Sequence, residues 1–203
     1  MATVDFYYSI GSRYSYLAST QITALERDTG CRVQWHPLDS TALIARRGRS
    51  PFTGPPISGQ YKWPYRELDA KRWAALYGAP FDEPRGRVEF DPQTLALAAT
   101  AAKRLGQVAP YSRQLFAAVF VDPVTCVDLS ECARRAEACG IAVERFRAAM
   151  ESSAAQEELE ATVERALGAG VFGVPTFLVE GELFWGNDRL VLLRHRLRPG
   201  SSK

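Results

Sequence analysis

The chain has 203 residues, of which 46% are hydrophobic and 24% charged, with a formal net charge of +2. That length buries a core without disulfide or metal staples. The small charge and scattered arginines argue against nucleic acid as a partner, and no run of about 18 apolar residues marks a membrane span.

Met1-Ala2-Thr3 runs straight into a strand-like segment without a basic n-region or a long apolar h-region, so no secretory signal is expected. Cys31, Cys126, Cys132 and Cys139 form no Cys-x-x-Cys, and His36 and His195 stand apart, so no metal centre is expected. Cys132 and Cys139 share a helix face but lie about 10 Å apart along it, too far for a disulfide. Free thiols of this kind point to the reducing cytoplasm.

Taken in order, Asp5 to Tyr8 is an apolar run and predicts a strand. Ser15 to Arg27 predicts a helix ended by Gly30, and Arg32 to Leu38 alternates as a second strand. This opening β-α-β unit favours a right-handed crossover and a parallel pair. Arg46 to Tyr61, rich in Arg, Gly, Pro and Ser, predicts a loop. Helices are expected over Pro64–Tyr77, Pro92–Leu105 (capped by Asp91), Pro110–Phe120, Asp128–Cys139, Val143–Met150 and Ala154–Leu167, with a loop over Phe81–Pro92 and no strand among them. Thr176–Val179 and Glu182–Trp185 around Glu180-Gly181 predict a hairpin. A last helix over Arg189–Leu197 follows, and the tail from Pro199 is expected to fray.

The order is that of an α/β, thioredoxin-like fold: residues 1–39 and 170–203 form the thioredoxin-like domain, and 40–169 an all-helical domain inserted between β-α-β and β-β-α. In such a fold the first strand-helix corner carries two cysteines. Here it reads Ser12-Arg13-Tyr14-Ser15, and serine cannot shuttle electrons, so disulfide exchange is excluded. Ser12 has two readings: a helix cap, or a hydroxyl that, with free N–H groups and the helix dipole, favours a thiolate. Val174-Pro175-Thr176 is either an ordinary turn or the cis-proline position, whose backbone pairs with an extended peptide. Asn187 and Asp188 either cap the last helix or recognise a zwitterionic amino-acid end, and Trp185 either packs or lines the same place. Together they describe a cleft for glutathione, with its thiol in the middle and its α-amino acid at one end.

These segments carry a family resemblance: Asp5-Phe-Tyr with Ser12-x-Tyr14-Ser15-Tyr16-Leu17-Ala18; Arg72-Trp73-Ala74 with Leu76-Tyr77-Gly78; Val171-Phe172-Gly173-Val174-Pro175-Thr176; and Trp185-Gly186-Asn187-Asp188-Arg189-Leu190. On them the chain resembles the 2-hydroxychromene-2-carboxylate isomerases, which group with kappa-class glutathione transferases and share the DsbA-like fold. The resemblance implies glutathione along Val174 and Pro175, its γ-glutamyl end at Asn187 and Asp188, and its sulfur at the catalytic Ser12. It implies reversible thiolate addition to an intermediate of aromatic hydrocarbon catabolism, rotation about the resulting single bond, and elimination. A kappa-like transferase or peroxidase, or a non-catalytic glutathione or peptide binder, are the alternatives. Arg13, Tyr14 and Arg189 are the expected contacts to a small aromatic substrate. A homodimer is a further expectation, since proteins of this fold often form dimers.

Three departures from the family pattern stand out. Arg13 replaces the usual proline after the serine, either adding a positive charge to the corner or pointing to solvent. Ser9 replaces an acidic or amide residue, and Phe52–Gly59 lacks an asparagine near Thr53-Gly54.

Overall fold

The apolar run from Val4 to Tyr8 forms β1 (Thr3–Tyr8), and its last three residues are all buried. A strand covered on both faces loses the apolar-polar alternation of a half-exposed one. In the computed structural model, which describes residues 1–48 and 62–198, β1 is followed by α1 (Arg13–Thr20), α2 (Ile22–Thr29) and β2 (Arg32–Pro37). Of the loop expected over Arg46–Tyr61, Arg46 and Arg47 are instead helical; its part within 49–61, with the missing asparagine, and the tail 199–203 lie outside the described residues.

β1 is the centre of the sheet. β2 pairs with it in parallel, Phe6 opposite Trp35. β5 (Thr176–Val179) pairs antiparallel on its other side, Phe6 opposite Phe177. β6 (Glu182–Trp185) closes the hairpin and the order β2-β1-β5-β6. This register stacks the Phe6 ring on Tyr8 at 4.9 Å and on Phe177 at 4.8 Å, with Trp35 edge-on at 5.2 Å, the geometries that ring quadrupoles favour.

Residues 40–169 hold α3 (Ser40–Arg47), α4 (Trp63–Tyr77), β3 (Glu89–Phe90), α5 (Pro92–Arg104), α6 (Val108–Phe120), β4 (Cys126–Val127), α7 (Leu129–Ala138), α8 (Val143–Glu151) and α9 (Ser153–Gly168). The expectation of no strand here is corrected, because β3 and β4 form a two-residue parallel ladder. α3 is also new; the Asp39 carboxylate caps it, accepting from the Thr41 and Ala42 N–H groups at 2.9 and 3.1 Å. One apolar cluster joins Phe6 and Leu17 to Leu95, Phe116 and Phe146, so the inserted helices and the sheet share a core. The Tyr8 hydroxyl adds a buried bond of 2.6 Å to Ser112 on α6.

A 3₁₀ turn over Asn187–Arg189 precedes α10 (Leu190–Leu197), where a single helix from Arg189 is expected. Among the described residues no helix is long and apolar enough to cross a membrane, and no cluster of His, Cys, Asp or Glu suits a metal ion.

Candidate active site

Ser12 stands at the N-cap of α1 in an extended conformation, φ −93 and ψ 115, and its Oγ accepts a hydrogen bond from the Ser15 N–H at 3.2 Å. A hydroxyl that accepts still has its own hydrogen to donate. The two readings of Ser12 are therefore compatible: it caps the helix and retains a donor. It lines a cavity of about 380 Å³. The first-turn N–H groups of α1 lack intrahelical partners and carry the positive end of its dipole. Ser15, at the second position, is fully buried, and its Oγ accepts from the Ser9 N–H at 3.4 Å. Ser9 is also buried, its hydroxyl 3.3 Å from that of Ser40.

Arg13 does not point to solvent. Its guanidinium meets the Glu83 carboxylate through two contacts, 3.0 and 3.2 Å, with side chains only 7 and 10% exposed. It also lies 4.1 Å from the Trp63 ring centre. Burial lowers the Arg13 pKa and Glu83 opposes that shift; a guanidinium keeps its charge under such conditions. Arg13 thus lines the Ser12 cavity with its charge already matched. Tyr14 donates to Asp69 Oδ2 at 2.9 Å. Burial first, then Asp69, raises its pKa, so the phenol stays protonated.

A second cavity of about 430 Å³ takes in Val174, Pro175, Trp185, Asn187, Asp188 and Arg189, with Asp69 and Trp73 facing them from α4. Tyr14 and Val174 border both cavities, so the two adjoin there. The Val174-Pro175 bond is cis. The Thr176 hydroxyl donates to Gly173 O at 2.7 Å, and the Gly186 N–H to Pro175 O at 2.9 Å. Trp185 packs on Phe172 at 4.9 Å and also faces this cavity.

Asn187 is 3% exposed, and its side-chain Nδ2 has no hydrogen-bond partner among the described residues. It makes no capping bond either, so the capping reading does not hold for it. Its carbonyl accepts from the Tyr77 hydroxyl at 3.0 Å, which fixes the turn against α4. Gly186 has φ +115, and a Cβ there would collide with Asp188 Oδ1, so only glycine leaves room for that carboxylate. The Asp188 side chain is 44% exposed and 3.3 Å from Arg189. Arg189 lies in this second cavity, apart from Arg13.

Sequence reasoning misses the cleft wall that α4 supplies. Trp63 and Arg66 line the first cavity, Asp69 and Trp73 the second. Their spacing of three, three and four puts them on one helix face, a signal hidden because polar and aromatic residues share it. The expected loop over Phe81–Pro92 contributes Glu83 and Phe90 to the corner.

The arrangement sets the Ser12 hydroxyl at a helix N-terminus in one cavity and Asn187 and Asp188 in the adjoining one, with no thiol at the corner. Residues 3–198 match the model of the DSBA-like thioredoxin domain. The chain is 31% identical, over 96% of its length and 97% of the relative's, to a 2-hydroxychromene-2-carboxylate isomerase of Sphingobium xenophagum. It is 30% identical to the protein of that name from Pseudomonas putida, over 94% of this chain and 91% of that one. A solved structure of a 2-hydroxychromene-2-carboxylate isomerase superposes with a TM-score of 0.80 at 30% identity, covering 94% of this chain and 92% of that chain.

Proposed function

The chain belongs to the DsbA-like thioredoxin family, among its 2-hydroxychromene-2-carboxylate isomerases, and from that premise we propose a glutathione-dependent isomerase of a bicyclic aromatic carboxylate. The observation that carries this reading is that the Ser12 cavity and the Asn187-Asp188 cavity adjoin, sharing Tyr14 and Val174. One tripeptide spans them, with its thiol at Ser12 and its γ-glutamyl end at Asn187 and Asp188.

The residues fit that ligand. The unpartnered Asn187 amide suits a ligand carboxylate, and the half-exposed Asp188 carboxylate suits an ammonium. The Val174-Pro175 edge that lines the second cavity suits an extended peptide backbone. When bound, glutathione supplies a soft nucleophile that adds and leaves reversibly. Ser12 donates its free hydrogen toward the sulfur while Ser15 N–H holds its Oγ in place. The first-turn amides of α1 favour the anionic form. A free thiol near pKa 8.5 is mostly protonated at neutral pH, and a helix N-terminus lowers that value. Tyr14, held protonated by burial and by Asp69, stands between the two cavities. Trp63, Phe90, Leu43 and Ile44 supply apolar surface beside Ser12 for the aromatic substrate. The four free cysteines fit a cytoplasmic setting.

Thermal unfolding with millimolar glutathione is the first test, since a ligand that binds the folded state raises its stability. No shift at all refutes the proposal. With binding established, 2-hydroxychromene-2-carboxylate is followed by absorbance while free thiol is counted. An isomerase leaves free glutathione constant; steady consumption marks a transferase instead.

A further inference from the structure

Behind the Ser12 cavity lies another of about 380 Å³, walled by Pro84, Val88 and Phe120 beside Glu83 and Arg85. Gly11, Arg13, Trp63 and Phe90 border both spaces. They form a partition with two halves. In one, Phe90 is seated so closely on the Gly11 backbone that a Cβ there would come within 2.8 Å of the ring. In the other, Arg13 lies 4.1 Å from the Trp63 ring centre. Glu83 grips its guanidinium at two points, 3.0 and 3.2 Å away. The buried carboxylate holds the guanidinium through one hydrogen bond and one ion-pair contact, and the cation in turn holds the ring. Arg85 places a second guanidinium 4.5 Å from the same ring centre.

A charge paired with Glu83 in this way has less to offer a substrate carboxylate. Its visible consequence is a Trp63 ring held between the two spaces. Building on the isomerase reading, we infer that Arg13 is a positioning residue which, through Trp63, sets the length of aromatic acid the Ser12 cavity takes. A bicyclic acid fits in front of the partition. A third fused ring runs into it, although Pro84, Val88 and Phe120 offer apolar surface behind, among the charged Glu83, Arg85 and Glu89. The residue that distinguishes this corner from the proline of the resembling family thus acts on substrate choice and leaves sulfur activation to Ser12.

Truncating Arg13 alone strands the Glu83 carboxylate, which destabilises the fold. The test therefore pairs Arg13→Ala with Glu83→Gln and uses Trp63→Ala as an independent opening of the same wall. Naphthalene-2-carboxylate and phenanthrene-2-carboxylate are titrated calorimetrically into the full chain without glutathione. The wild type should favour the two-ring acid by about tenfold, the scale on which a pocket rejects excess apolar bulk. Both variants should bring the ratio to one or reverse it, with melting curves confirming that they are folded. A folded variant pair that keeps the wild-type ratio overturns the inference, as does a wild type that binds both acids equally or neither. Turnover of 2-hydroxychromene-2-carboxylate and its benzo-fused analogue is then compared with glutathione present. A shifted binding ratio without turnover removes the isomerase reading and leaves the partition standing. Turnover with an unshifted KM ratio removes the partition alone.

Discussion

Ser12→Ala removes two interactions that differ in kind. The first is the cap, Ser15 N–H to Ser12 Oγ at 3.2 Å, and losing it costs about 1 kcal/mol of stability. The second is the bond from the hydroxyl to a bound thiolate. A hydrogen bond to a charged group contributes about 1.5–3 kcal/mol. At about 1.36 kcal/mol per pKa unit, its loss raises the pKa of bound glutathione by about one to two units. Below the pKa, each unit lowers the reactive fraction about tenfold. Ser12→Asp separates the two effects: its carboxylate still accepts from Ser15 N–H, so stability is retained, while the donor is replaced by a charge that repels thiolate. The assay is a pH titration of ultraviolet thiolate absorbance in the glutathione-saturated protein, with melting curves and kcat alongside. Ser12→Ala should lower both Tm and kcat; Ser12→Asp should lower kcat with Tm preserved. An unchanged thiol pKa in Ser12→Ala, or undiminished turnover in Ser12→Asp, refutes the role given to the hydroxyl.

Asp188→Ala removes the carboxylate meant for the ligand ammonium and should raise the glutathione Kd about tenfold, or about 1.4 kcal/mol, leaving kcat at saturation intact; calorimetry and saturation kinetics check both. Gly11→Ala drives a methyl into Phe90, 2.8 Å away, an overpacking cost of about 1–3 kcal/mol, and Tm should fall about 2–4 °C per kcal/mol in a chain of this size; an unchanged Tm would show that Phe90 yields freely. His36 Nε2 lies 2.8 Å from Asp5 Oδ1, and burial, only partly offset by that bond, lowers the His36 pKa from 6.5. The unfolded chain then takes up this proton first, so stability is fully present above 6.5 and declines as pH falls toward the lower folded value. His36→Gln should flatten that decline in urea midpoints measured downward from neutral pH; an identical slope would remove His36 as its source.

Short signals at element ends made much of this molecule legible. The Asp91 cap, the Gly30 stop and the serine corner each depend on neighbours only a few residues away, and each lies where expected. The helix expected from Ser15 to Arg27 instead breaks at Gln21. No glycine or proline marks that break. The Ser19 and Thr20 hydroxyls donate to Tyr16 O and Leu17 O at 2.6 and 2.7 Å, back-bonding that loosens a helix without an unambiguous sequence signature. The β3–β4 ladder joins two-residue segments far apart in the chain, too short for any periodicity to register. Ser12, Val174-Pro175 and Asn187-Asp188 could be found because each is a compact motif at a turn. Glu83, which decides how Arg13 behaves, is 70 positions from it, and no local pattern connects them.

The Tyr77–Asn187 bond has a consequence for how ligands sense one another. α4 carries Trp63 and Arg66 to the Ser12 cavity, Asp69 and Trp73 to the cavity of Asn187 and Asp188, and Tyr77 onto the turn that holds Asn187. A rigid displacement of this one helix alters both cavities together. Whatever factor an occupant of one imposes on affinity at the other must, by thermodynamic reciprocity, be returned in equal measure. Any such linkage runs through one shared wall, and it is the same whichever cavity fills first.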